Sequence, residues 1–164
     1  MGANYTITEL TRKHNRKGFD CGNHELNGFL ATQARVHKSR HISKTFVAER
    51  VDNPNTILGF YTILPCETDG ALIPGNYPSR VPAYLLGRLA IDKRYHGRGL
   101  GGELLISAIH KAALASRYVG GIGVFVDAKA AEARKFYLHM GFEQLPDQTV
   151  KLFMPMERCR KLFD

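Results

Sequence analysis

The sequence has no apolar run long enough to span a bilayer. Its first residues, MGANYTITEL, lack the apolar segment of a secretory signal. Met1-Gly2-Ala3-Asn4-Tyr5-Thr6 fits the N-myristoylation pattern, but nothing else in the chain points to a membrane. Cysteine is scarce: Cys21, Cys66 and Cys159 are isolated and odd in number. They match neither a disulfide framework nor a zinc spacing, so a reducing, cytoplasmic compartment is expected. The seven histidines are scattered, with no HExxH and no Cys/His cluster, so no metal site is expected. Acidic residues are also short: 15 Asp and Glu against 23 Lys and Arg give a formal charge of +8. The basic residues gather at Arg12 to Lys17, Arg35 to Lys44, Arg94 to Arg98 and Arg158 to Lys161. That pattern fits either a polyanionic partner or a solubilising surface with some phosphate contacts.

What is present is the length and apolar content of a single domain over 1–164, without repeats or low-complexity tracts. Tyr5 to Leu10 alternates as a short strand. Phe19 to Asn23 reads as a turn with Asn23 as a helix N-cap, followed by Leu26, Phe29, Leu30, Gln33 and Ala34 on one helical face. Lys38 to Ser43 reads as a polar loop. Lys44 to Val51 and Thr56 to Leu64 are β-type runs around an Asp52-Asn53-Pro54-Asn55 turn, a hairpin. Cys66 to Arg80, with its glycines and prolines, reads as a long loop. Ala83 to Ile91 is apolar enough for a central strand, in which Gly87 suggests a bulge or a close backbone approach. Leu100, Leu104, Leu105, Ala108 and Ala112 mark a helix to about Arg117, which Gly120-Gly121 ends. Ile122 to Val126 is a buried-type strand ending at Asp127. Ala133, Phe136, Tyr137 and Met140 line a helix closed by Gly141. Two β-type pieces follow, Phe142 to Leu145 and Val150 to Met154. The order β-α-β-β-β-α-β-α-β predicts a mixed α/β fold with a βαβ unit around residues 94–102.

That stretch, Arg94-Tyr95-His96-Gly97-Arg98-Gly99-Leu100-Gly101-Gly102, is a positively charged bend suited to wrap a pyrophosphate. Gly97, Gly99 and Gly102 satisfy GxGxxG, and Asp127 ends the next strand. A dinucleotide fold would need more chain than the roughly 60 residues that follow. A P-loop is excluded because no Lys-Ser/Thr follows the glycines. The third reading is Arg94-x-x-Gly97-x-Gly99. It resembles the acetyl-CoA signature of the GNAT family of N-acetyltransferases. Leu85 to Lys93 resembles the family's central strand, and Ala131 to Phe142 resembles its "A…FY…GF" helix end.

The resemblance implies a GNAT acyl-CoA N-acyltransferase fold: a central, mostly antiparallel sheet, flanking helices and a βαβ acetyl-CoA unit. It implies acetyl-CoA held by Leu89, Ala90 and Ile91 of the strand and by Arg94, His96, Gly97, Arg98, Gly99, Leu100, Gly101 and Gly102 of the bend. Phe136 is read as core or as a wall of the coenzyme site. Asp127 is read as a cap for the next helix, a cofactor contact or an amine contact. Tyr137 matches the family's tyrosine that protonates the leaving thiolate; without the resemblance it reads as core. No residue stands out as a general base. An α-amino group, with a pKa near 8, needs one less than a lysine amine does.

Phe19 to Leu30, Ala34, Lys44 to Val47 and Pro82 to Asp92 are similar to a subgroup of GNAT proteins, the toxins of bacterial toxin–antitoxin modules. That likeness implies acetylation of the α-amino group of aminoacyl-tRNA, a block of translation, a ribbon-helix-helix antitoxin and a homodimer. Arg35, Lys38, Arg40, Lys44 and Arg88 are candidate tRNA phosphate contacts. A GNAT enzyme for a small amine, a protein N-terminus or a lysine is the first alternative. A non-catalytic acetyl-CoA sensor or nucleic-acid-binding module is the second.

Overall fold

The computed structural model describes residues 4–148 and 150–163. The Met1-Gly2 start of the myristoylation pattern lies outside them. Seven strands form a mixed, mostly antiparallel sheet in the order β1-β2-β3-β4-β5-β7-β6. They are β1 (Tyr5–Glu9), β2 (Lys44–Arg50), β3 (Ile57–Asp69), β4 (Arg80–Ile91), β5 (Gly123–Asp127), β6 (Glu143–Gln144) and β7 (Lys151–Pro155). The helices are α1 (His24–Gly28), α2 (Ala34–Ser39), α3 (Leu100–Val119), α4 (Ala131–His139) and α5 (Met156–Lys161). The chain divides into two compact units. The N-terminal unit runs to Ile63 and resumes over Arg88–Ser107; the C-terminal unit holds Leu64–Gly87 and the chain from Ala108 onward.

In the N-terminal unit, Leu10, Phe19, Phe29, Leu30, Ala34, Val47, Ile57, Phe60 and Ala90 form one core. Phe19 meets Phe60 edge-on at 5.4 Å between centroids. Asn23 is the N-cap expected of it, its side chain accepting the Leu26 N–H at 3.1 Å. The helix that follows is interrupted by a π turn over Phe29–Gln33, in which the Ala34 N–H donates to the Phe29 carbonyl. The extra residue in that turn rotates the face. Phe29, Leu30 and Ala34 are buried as expected, while Gln33 points to solvent, contrary to the expected face.

The expected loop over Lys38 to Ser43 is helical through Ser39. It closes with a Schellman-type end: the Ile42 N–H donates to the His37 carbonyl and the His41 N–H to that of Lys38. His41 occupies the left-handed position at φ 59°, where glycine usually advertises a helix end. The β2–β3 hairpin forms as expected, with a register shift between Ala48 and Glu49.

In the C-terminal unit, Ile73, Ala83, Phe125, Leu145 and Phe153 form one core cluster. The expected loop over Cys66 to Arg80 is shorter than that, because β3 continues to Asp69. Its last residues alternate half-buried and exposed, the period of a one-sided strand, which Pro65 and Gly70 hide in the sequence. The short helix α5 has no counterpart in the expected order; Met156 and Cys159 bury its inner side. β4 pairs in parallel with β5 from Tyr84↔Val124 to Leu86↔Val126. The ladder stops there, one residue before Gly87.

Candidate active site

The glycine bend is built from β4 outward. Asp92 follows β4 directly and is buried, at 1% relative exposure. Its carboxylate accepts the Arg94 N–H at 3.0 Å, the Arg94 guanidinium at 2.9 and 3.1 Å, and the Asp20 N–H at 3.1 Å. Burial alone would raise this carboxyl, but the Arg94 side chain and the two N–H groups hold it below the usual aspartate range. Asp20 continues the network. It accepts from the Asn27 side chain at 3.0 Å and from the Gly22 N–H at 2.9 Å, and it pairs with the Lys93 ammonium at 3.1 Å. These donors, Asn27 first, pull its carboxyl down to about 2. The Lys93 N–H donates to the Asp20 carbonyl at 2.9 Å. The turn expected at Phe19 to Asn23 thus holds the start of the bend.

Beyond a 3-10 turn at Lys93–Tyr95, Gly97 and Gly99 adopt φ of 76° and 80°, a left-handed backbone that a side chain would strain. A Cβ at either position would meet no atom within 4 Å, so their glycine requirement comes from backbone shape and not from crowding. The Glu103 N–H is bonded back to the Gly99 carbonyl at 3.3 Å. The N–H groups of Leu100, Gly101 and Gly102 therefore precede the first intrahelical bond of α3 and sit at the positive end of its dipole. A pyrophosphate fits that donor set. The His96 ring nitrogen Nε2 is 2.7 Å from the Ile91 carbonyl, closing the bend onto β4. Arg94 and Arg98 lie over the Tyr95 ring at 5.7 and 5.3 Å. The structure brings together Leu89, Ala90, Ile91 and residues 94–102. It also shows that the Arg94 side chain is engaged by Asp92, so the backbone is the freer anion donor.

Tyr137 lies in the C-terminal unit on α4, 7% exposed. Phe136 and Phe142 flank its ring at 5.2 and 5.6 Å, and Phe136 is half-buried. Gly141 closes the helix at φ 102°, as expected. Burial first, then the charge of Asp127, pushes the phenol up to about 12, so it stays protonated at neutral pH. Asp127 does not cap α4. The N-cap is Ala130, without a side-chain bond, because α4 starts four residues past Asp127. Asp127 is exposed at the end of β5 and acts on Tyr137 through its charge.

The basic residues of the N-terminal unit divide into engaged and unengaged groups. The Lys38 ammonium donates to the Leu10 carbonyl at 3.0 Å and pairs with Glu9 at 3.5 Å; Lys44 pairs with the same carboxylate at 3.1 Å. Arg35 is half-buried and Arg40 exposed. The guanidinium of Arg88 lies 3.6 Å from the centroid of Phe29. Sequence reasoning missed Asp92, Asp20 and Asn27. The only sequence signal for Asp92 is a carboxylate directly after an apolar strand, which a surface turn would show equally; Asp20 and Asn27 carry none. Among the described residues no group of three or more His, Cys, Asp or Glu is gathered as a metal site.

A mixed sheet whose central strand feeds a left-handed glycine bend and the head of a long helix fits the class of acyl-CoA-dependent transferases. A family model described as "Acetyltransferase (GNAT) domain" matches residues 41–144. The chain belongs to the GNAT family of acetyltransferases. It is 34% identical over 148 residues to a "tRNA-acetylating toxin" of Mycobacterium tuberculosis (strain ATCC 25618 / H37Rv), covering 88% of this chain and 87% of that protein. Its fold matches that of AtaT complexed with acetyl-methionyl-tRNAfMet with a TM-score of 0.90 at 31% identity, over 98% of this chain and 99% of the other. It also matches a tyrosine-to-phenylalanine mutant of the AtaT toxin, bound to the C-terminus of the antitoxin AtaR and acetyl-CoA. There the TM-score is 0.85 at 30% identity, with 98% of each chain covered.

Proposed function

We propose that this chain, acting as one domain over 1–164, transfers an acetyl group from acetyl-CoA to the α-amino group of an aminoacyl-tRNA and so blocks translation. The observation that carries the acceptor is the likeness, over 98% of the chain, to AtaT in complex with acetyl-methionyl-tRNAfMet. The coenzyme rests on the bend: its N–H groups and the α3 terminus hold the pyrophosphate. The backbone of Leu89 to Ile91, past the end of the β5 ladder, pairs with the pantetheine amides as an added strand.

The neutral amine attacks the thioester carbonyl. N–H groups of β4 stabilise the tetrahedral oxyanion. Collapse expels the thiolate, Tyr137, held protonated by burial, gives it a proton, and the proton lost by the attacking nitrogen passes to solvent, from which the phenol is reprotonated. The attacking amine of an aminoacyl ester is largely neutral near pH 8 and needs no side-chain base. The positive charge between Arg35 and Lys44 is not uniform, since Glu9 balances Lys38 and Lys44. That balance favours, as a second reading, a GNAT enzyme for a small amine.

The toxin reading brings a ribbon-helix-helix antitoxin, a homodimer and a cytoplasmic setting with it; among the described residues no helix is long and apolar enough to cross a membrane. Incubation with acetyl-CoA and charged tRNA tests the proposal. N-acetyl-aminoacyl-tRNA is the expected product. Its absence across all isoacceptors, together with turnover of a small amine that survives high salt, sinks the tRNA reading.

A further inference from the structure

Arg88 occupies an unusual position for a cation. It sits within β4, and its guanidinium stacks 3.6 Å from the Phe29 ring centroid. Phe29 is itself 6% exposed, and the His37 ring meets it edge-on at 5.2 Å. A stacked guanidinium is fixed in plane and keeps its N–H edge available. Among the described residues no carboxylate pairs with it and no hydrogen bond reaches it. Its neighbours in the same unit differ: Lys38 and Lys44 share Glu9, Lys93 has Asp20, Arg94 has Asp92 and Arg50 has Asp52. Burial lowers the Arg88 guanidinium, and no anion offsets that desolvation. A half-buried cation held without a counter-ion is costly unless a ligand supplies one.

Its position narrows the ligand. Arg88 precedes Leu89 by one residue, about 3.3 Å of strand, and Leu89 begins the backbone assigned above to the pantetheine arm that carries the thioester. The phosphate nearest the amine of an aminoacyl-tRNA is that of the terminal nucleotide. We propose that Arg88 is the anchor for the terminal-nucleotide phosphate of the acceptor, the planar guanidinium gripping its two free oxygens while Phe29 holds the plane. This rests on the aminoacyl-tRNA reading and sharpens it. The rest of the basic track contributes long-range attraction, and Arg88 sets where the amine stops.

The test uses the full chain and two minimal acceptors, 3′-aminoacyl-adenosine with and without a 5′-phosphate, beside charged tRNA. Wild-type protein prefers the phosphorylated acceptor by about tenfold in kcat/KM, the scale of one charge-assisted contact. Arg88→Met, which keeps an apolar cover over Phe29, abolishes that preference and raises the KM for charged tRNA by about tenfold. The KM for acetyl-CoA stays within about twofold and reports a correctly folded bend. Arg88→Lys restores only part of the preference, because an ammonium cannot stack or grip bidentately. Wild-type protein that acetylates charged tRNA but ignores the 5′-phosphate overturns the assignment alone. So does an Arg88→Met protein that still prefers the phosphate. A wild-type protein that acetylates no charged tRNA overturns the functional reading and the anchor with it.

Discussion

In the N-terminal unit, Asp92 and Asp20 gather backbone N–H groups, an amide, a guanidinium and an ammonium into one network around the glycine bend. In the C-terminal unit, Tyr137 sits among aromatic rings, and no hydrogen bond reaches its hydroxyl among the described residues. The first arrangement fixes shape. Many partners are satisfied at once, and the bend presents N–H groups that need no reorganisation when an anion arrives. The second fixes a proton. A dry ring environment keeps the phenol neutral, and a neutral phenol is a donor. On the proposed mechanism, binding and chemistry call for opposite treatments of a polar group, one found in each unit.

The sharpest way to break this contrast is Tyr137→Phe. Turnover should fall by about a hundredfold or more, while acetyl-CoA affinity measured by calorimetry stays within about twofold. Loss of binding without loss of turnover would reverse the roles. Because the phenol is raised to about 12, the wild-type pH–rate profile should climb with the amine and show no descending limb from tyrosine below about pH 10.

Next in size is Asp92→Asn, which should cost about 2 kcal/mol of stability at pH 7 and raise the KM for acetyl-CoA. The folded carboxyl lies below its unfolded value, so its contribution is present above about pH 4 and disappears as pH falls through the folded pKa. Thermal unfolding of the two proteins should therefore converge as pH falls; a gap that does not narrow at all between pH 7 and acid would mean the network is not what Asp92 supplies.

Smaller still are Gly97→Ala and Gly99→Ala, each about 1 kcal/mol of backbone strain and roughly a fivefold loss of acetyl-CoA affinity. Since no atom lies near either Cβ position, Gly99→Asn should be milder than Gly99→Val. Equal effects would point to a steric cause. Least of all, Lys44→Ala should shift stability by under about 0.5 kcal/mol, as an exposed pair does.

Local rules made much of this molecule legible in advance. Asn23 could be read as a cap because its side chain bonds three residues away. Gly97, Gly99 and Gly141 announce left-handed backbone by their identity. The apolar faces of α3 follow from period alone, with Leu100, Leu104, Leu105, Ala108 and Ala112 all buried. What stayed hidden depends on distance or on an unmarked exception. Asp92 finds Asp20 across 72 positions of sequence. His41 takes a glycine's conformation, and the π turn at Phe29–Gln33 shifts Gln33 off the expected face without any sequence flag. A helix cap was one of three readings of Asp127, but the helix begins too late for it. Arg88 was one of five equal cations in sequence; only the fold shows that Glu9 holds two of the others.

The network around Asp92 also bears on how the protein can be cut. The region matched by the family model begins at residue 41 and contains every glycine of the bend. Asp20 lies outside it, and so do the carbonyl that receives the Lys93 N–H and the N–H that Asp92 holds. A fragment trimmed to the shared region would carry the signature intact and leave it unmoored. The motif can be inherited as a string of letters, but its geometry is on loan from the turn at Asp20, and any graft of this bend into another scaffold must bring that turn along.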